Sequence, residues 1–155
     1  MKKDKNIFLN GLIDLAQSRL GSSVVYKTDE FFAPAKRIIN PWPPIFKEGV
    51  FDKHGKWMDG WETRRKRNKG HDYLILKLGR PGKIHTVDID TSYFNGNQPS
   101  KVSLDACYSK KKLPDKNSKW ITIVKKTTTK PKKTYKKTKM NRGTEKKIPT
   151  AHLFR

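Results

Sequence analysis

An antiparallel β-sandwich is the fold class this sequence predicts, and three observations predict it. Apolar and aromatic residues fall in short runs at all-β spacing. Those runs are separated by Gly, Pro and Asn turns, and sustained helical periodicity is scarce. Length adds a bound: 155 residues suit one domain with room for a real core.

Taken in order, Leu12 to Leu20 is the one helical candidate, with Leu12, Ile13, Leu15 and Leu20 as its apolar members and Gly21 as a stop. Val24-Val25-Tyr26 reads as a strand. The aromatic stretches 29–34 and 40–44 read as ordered loops, and the prolines in the second forbid a central strand. After the turn Lys53-His54-Gly55, a strand is expected from Trp57 to Arg65, broken at Asp59-Gly60. Asp72 to Leu78 is an apolar strand, followed by the hairpin turn Gly79-Arg80-Pro81-Gly82 and a strand from Ile84 to Asp90. Tyr93-Phe94 opens a loop, 95–99, able to supply positive φ. Val102 to Cys107 and Trp120 to Val124 complete the strands.

Charge divides the chain. The formal net charge is +22. Residues 1–108 carry 19 basic and 12 acidic side chains, about +7, whereas 109–155 carry 17 basic against only Asp115 and Glu145, about +15. The excess sits in a Lys/Thr/Pro-rich run, 125–147, too poor in apolar residues to offset its ordering entropy and expected to be disordered or irregular. The expected organisation is a sandwich domain over 1–124, this low-complexity segment, and the start of a closing strand at 148–155. The single cysteine, Cys107, excludes an internal disulfide, reads as a small core residue and suits a reducing compartment. The N-terminus lacks the apolar core of a signal peptide, and no stretch reaches transmembrane length. A soluble cytoplasmic protein is expected, with no membrane partner.

The densest chemistry lies in 58–67. On a strand, Glu62 and Arg64 share one face while Trp61, Thr63 and Arg65 share the other. A guanidinium beside a carboxylate suits an anionic substrate, and Glu62 can move protons; an exposed ion pair accounts for the same pattern. In Val87-Asp88-Ile89-Asp90, alternation turns Val87 and Ile89 inward and sets the two carboxylates together outside. They suit a cation or a shared proton, and equally a solvated strand face. His71 and His85 lie near carboxylates, but no ligand spacing supports a divalent metal, and no cofactor is expected.

Read together, these segments resemble the allantoicase family. The resemblance runs through residues 12–16, 28–34 and the stretch Lys56-Trp57-Met58-Asp59-Gly60-Trp61-Glu62-Thr63-Arg64-Arg65-Lys66-Arg67. It continues through Gly70-His71-Asp72, Leu78-Gly79 and Pro81-Gly82, then Val87-Asp88-Ile89-Asp90-Thr91-Ser92 with Phe94-Asn95-Gly96-Asn97 and Pro99. It implies a jelly-roll sandwich of the galactose-binding type, standing as the first of two tandem repeats, in a homo-oligomeric enzyme of purine catabolism that converts allantoate and water to ureidoglycolate and urea. The second repeat does not occur within these 155 residues. With positions supplied by the resemblance and roles by chemistry, Arg64 or Arg65 would hold the substrate carboxylate. Glu62, His71 or Asp90 would move protons, and Thr91 and Asn97 would contact substrate, Asn97 at a ureido oxygen. Tyr93 departs from the family pattern, which has His there. A different class of function is a non-catalytic sandwich whose basic tail contacts nucleic acid nonspecifically through phosphate neutralisation, or acidic partners.

Overall fold

A computed structural model describes residues 12–115 and 117–129 and, as backbone, His152–Leu153. The protein is built from strands, with helix limited to two 3₁₀ turns, Ser18–Leu20 and Ala35–Ile39. The strands are β1 (Ser23–Lys27), β2 (Phe51–Asp52), β3 (Gly55–Lys56), β4 (Leu74–Lys77), β5 (Lys101–Ala106), β6 (Ile121–Thr128) and β7 (His152–Leu153).

β4 is the centre of a three-stranded antiparallel sheet ordered β1-β4-β7. Leu74, Ile75 and Leu76 are buried in succession, so the continuous apolar run of the sequence is a strand covered on both faces. β5 and β6 pair antiparallel with two register shifts, and β2 and β3 form a tight hairpin about Lys53-His54. The main core joins Trp61, Leu74, Leu76 and Leu78 to Ala35, Ile39 and Ala106. A second cluster, Ala33, Met58 and Phe94, lies under the loops. Two glycines are fixed by close approach. A Cβ on Gly79 would stand 2.7 Å from the Gly21 Cα, and one on Gly60 would stand 2.8 Å from the Phe94 ring. Cys107 is buried and free, and burial pushes its thiol up to about 11.

Four expectations need correcting. The segment Leu12 to Leu20 is no helix beyond its last three residues, because local bonds compete for its backbone. Asp14 Oδ1 accepts the Ala16 amide at 2.9 Å, and the Ser22 hydroxyl donates to the Leu15 carbonyl at 2.7 Å. Stretches 57–65 and 84–90 form no regular strand; the first makes one bridge, Glu62 with Ala33. The apolar/polar alternation at 87–90 is nonetheless present in the exposure pattern, Val87 and Ile89 being half-buried and Asp88 and Asp90 exposed. Gly79 to Gly82 is no hairpin turn, since the strands flanking β4 in its sheet are β1 and β7. Finally, the Lys/Thr-rich run is not irregular from its first residue: β6 continues through it to Thr128, paired with Lys101. Positions 130–147, the rest of that run, lie outside the described residues, as do the N-terminal residues 1–11.

Candidate functional site

The strand–loop arrangement leaves an open cavity of about 550 Å³, within the roughly 300–1,000 Å³ usual for small-molecule sites. Three parts of the chain build it. The β2–β3 hairpin brings His54, Gly55 and Lys56; the stretch after it brings Met58 and Glu62; the loop after residue 92 brings Tyr93, Asn95 and Asn97. Phe32 and Phe46 complete the wall.

Glu62 and Asn97 meet here. Asn97 Nδ2 donates to Glu62 Oε1 at 2.6 Å. An ionised carboxylate only accepts, so the amide nitrogen faces it, leaving Asn97 Oδ1 and a second N–H to other partners. Glu62 is set by its backbone, which exchanges two hydrogen bonds with Ala33, at 3.1 and 3.2 Å. Its neighbour Trp61 is buried in the core and donates its indole N–H to the Asp29 carbonyl at 2.6 Å.

Tyr93 occupies a left-handed conformation, φ +68°, uncommon for a residue with a side chain. The turn is closed by the Phe94 amide on the Thr91 carbonyl at 3.1 Å, and the buried Phe94 anchors it. The Tyr93 ring stacks on Phe46 at 5.5 Å, and the Lys56 ammonium lies 4.5 Å over that same Phe46 ring. His54 stacks on Phe31 at 4.0 Å, with Nδ1 2.7 Å from the Phe31 carbonyl. A carbonyl can only accept, so Nδ1 carries the proton and Nε2 is the nitrogen with a free lone pair in the neutral ring.

The other expected site residues stand elsewhere. Arg64 is bound by Asp29: Nη2 and Nε reach Oδ1 at 3.0 and 3.3 Å, and the Arg64 amide donates to Oδ2 at 2.6 Å. Burial alone would raise the Asp29 carboxyl; the Arg64 amide and guanidinium outweigh it and hold the group below its ordinary value. Lys66 is likewise taken up by Asp72, at 3.0 Å. Arg65 and His71 are exposed outside the cavity. Asp90 caps its own turn, accepting the Ser92 amide at 2.7 Å, and Thr91 serves through its carbonyl. Of the seven residues expected, Glu62 and Asn97 therefore line the cavity, and Arg64, Arg65, His71, Asp90 and Thr91 do not. Sequence reasoning missed Lys56, His54, Phe46 and the placement of Tyr93. The Lys53-His54-Gly55 turn was the available signal, since a two-residue turn there puts Lys56 opposite Phe51. Among the described residues, no group of three or more His, Cys, Asp or Glu side chains could hold a metal ion.

Residues 13–153 match the sequence profile of the allantoicase repeat family. The chain belongs to the allantoicase family. It is 49% identical over 121 residues to "Probable allantoicase 2" of Burkholderia mallei, an alignment covering 78% of this chain and 36% of the relative. It is 53% identical over 112 residues to "Probable allantoicase" of Pseudomonas aeruginosa, covering 72% and 34%. An allantoicase structure superposes with TM-score 0.72 at 33% identity, over 92% of this chain and 43% of the other. The crystal structure of allantoicase from Saccharomyces cerevisiae does so with TM-score 0.67 at 31% identity, over 96% and 40%. The chain thus spans about a third of the length of those bacterial relatives. Among its described residues, no helix is long and apolar enough to cross a membrane.

Proposed function

We propose that this allantoicase chain hydrolyses allantoate to ureidoglycolate and urea, in its cavity, with Glu62 as the proton-transfer group. The observation that carries the reading is the Glu62–Asn97 hydrogen bond of 2.6 Å on the cavity wall. It joins the two most distinctive sequence segments at one point. Allantoate is a carboxylate whose central carbon bears two ureido groups. Glu62, as the acid, protonates one departing ureido nitrogen while the C–N bond breaks and urea leaves. Water then adds to the remaining C=N carbon and returns a proton to the Glu62 carboxylate, so hydrogen and charge balance. Among the described residues Glu62 Oε2 has no partner, which leaves it open to substrate. Asn97 holds the carboxylate in place and offers its spare N–H to a ureido oxygen.

The finer architecture is also part of this proposal. The β1-β4-β7 sheet and the β5–β6 pair are the two faces of a jelly-roll sandwich of the galactose-binding type, and the chain works in the cytoplasm as part of a homo-oligomer. Support comes from the buried β4 face meeting Ala106 of β5 in one core.

Incubating the purified full chain with allantoate and measuring both products tests the reaction. Urea and ureidoglycolate released in equal amounts are expected; an absence of both overturns the proposal.

A further inference from the structure

Resting on the reading that this cavity takes allantoate, we infer that Lys56 anchors the substrate carboxylate and thereby makes the site select an acid over a neutral ureide. The cavity needs a cation for this, and the arginines suggested by the sequence are not on its wall. Arg64 has its guanidinium on Asp29 and over the Phe31 ring, and it is not among the residues that line the cavity. Lys56 is the side chain with a permanent positive charge among the residues that line the cavity.

Its surroundings fit the task. Among the described residues Lys56 makes no ion pair, so its charge is not spent on the protein. It rests instead over the Phe46 ring at 4.5 Å, and Phe46 is stacked on Tyr93. An aromatic face holds an ammonium in place while leaving its N–H donors free for a carboxylate. The backbone beneath is fixed as well. Lys56 pairs with Phe51 across the hairpin, and the next amide, Trp57, donates to the Val50 carbonyl at 2.9 Å. Arg37 reaches across to the hairpin's Asp52 at 3.7 Å and donates to the Met58 carbonyl at 2.6 Å. An anchored cation on the hairpin and a carboxylate–amide pair elsewhere in the same lining give a ligand two unlike groups to satisfy. An acid for the one and ureido N–H and C=O groups for the other match both.

The test compares allantoate with methylenediurea, which keeps both ureido groups on one carbon and lacks only the carboxylate. Titration calorimetry of the full chain is expected to give roughly ten- to hundredfold tighter binding of allantoate, the scale of one charge-assisted contact. In Lys56→Met that preference disappears through loss of allantoate affinity alone, and Lys56→Arg retains most of it. A Lys56→Met protein that still prefers allantoate overturns the role of Lys56 and leaves the reaction assignment standing. So does one that loses both ligands alike, which marks Lys56 as shaping the wall, and so does a wild type that binds the two equally. Wild-type protein binding neither ligand overturns the reaction assignment itself. Should thermal melting show Lys56→Met unfolded, Lys56→Gln carries the same comparison.

Discussion

Glu62 and Arg64 are two residues apart, and a strand would set them side by side. In the protein they serve opposite regions. Glu62 is turned into the cavity and bonded to Asn97, whereas Arg64 is folded back onto Asp29. The difference arises because the extended chain has one bridging partner, Ala33 at Glu62, and no ladder beyond it. Past that bridge, Asp29 and Asp72 pull the basic stretch towards the loop ahead of Ala33 and the entrance of β4. Alternation describes a strand held by neighbours on both sides; one bridge does not impose it. On the proposed reading, one region carries the chemistry and the other holds the first in place.

Glu62→Gln is the most severe way to probe that division. It removes the transferable proton while keeping shape, so urea release is expected to fall about 10²- to 10⁴-fold with little change in the thermal midpoint. Unfolding of the variant instead would place Glu62 with the structural region. Asp29→Ala comes next: it strips the acceptor from both the Arg64 amide and guanidinium and is expected to cost about 1–3 kcal/mol, read by denaturant unfolding. Because the fold holds the Asp29 carboxyl below its unfolded value, near 3.9, its contribution is complete above that pH and is lost as pH falls through the folded value. The acid limb of stability should accordingly flatten in the variant. Arg64→Ala is milder, about 0–1 kcal/mol, since the exposed guanidinium leaves while its amide keeps Asp29. KM for allantoate is expected to hold in Arg64→Ala and to rise in Lys56→Met; the reverse pattern would return the carboxylate to Arg64.

The smallest effect belongs to Asp88, a carboxylate in neither region. Burial against the chain, with Asp90 and Asp14 nearby, pushes it up to about 6 although the residue keeps solvent contact. A raised carboxyl opposes folding once ionised, so the penalty grows as pH rises from about 4 to about 6. Asp88→Asn is expected to add up to about 1 kcal/mol at pH 7, after solvent screening, and nothing near pH 3. Unfolding curves at the two pH values decide it.

How much of this was legible depended on whether a signal was local. β4 was plain because Leu74, Ile75 and Leu76 are apolar without interruption. β1 and β6 were plain from β-branched residues between turns, and β5 from its apolar Val102, Leu104 and Ala106. Ile84 to Asp90 was misleading, since alternation there reflects a half-buried extended chain with no ladder partner. At the N-terminal end, leucine spacing hid the Asp14 side chain's competition for the backbone. In the cavity, Glu62 and Asn97 stood out through their motifs. Lys56, Phe46 and Tyr93 did not, because their meeting depends on a hairpin swung over a left-handed turn.

The position of β4 has a bearing on how the molecule is made. One edge of β4 takes β1, which leaves the ribosome before it, but the other takes β7, encoded half a chain later. Until that late segment emerges, the nascent sheet displays a bare edge of apolar sequence to solvent or to neighbouring nascent chains. Pairing β4 with β7 must then bring together segments far apart in the chain, at an entropic cost that grows only slowly with their separation. A chaperone that shields the open edge of β4 during synthesis would raise the yield of folded protein.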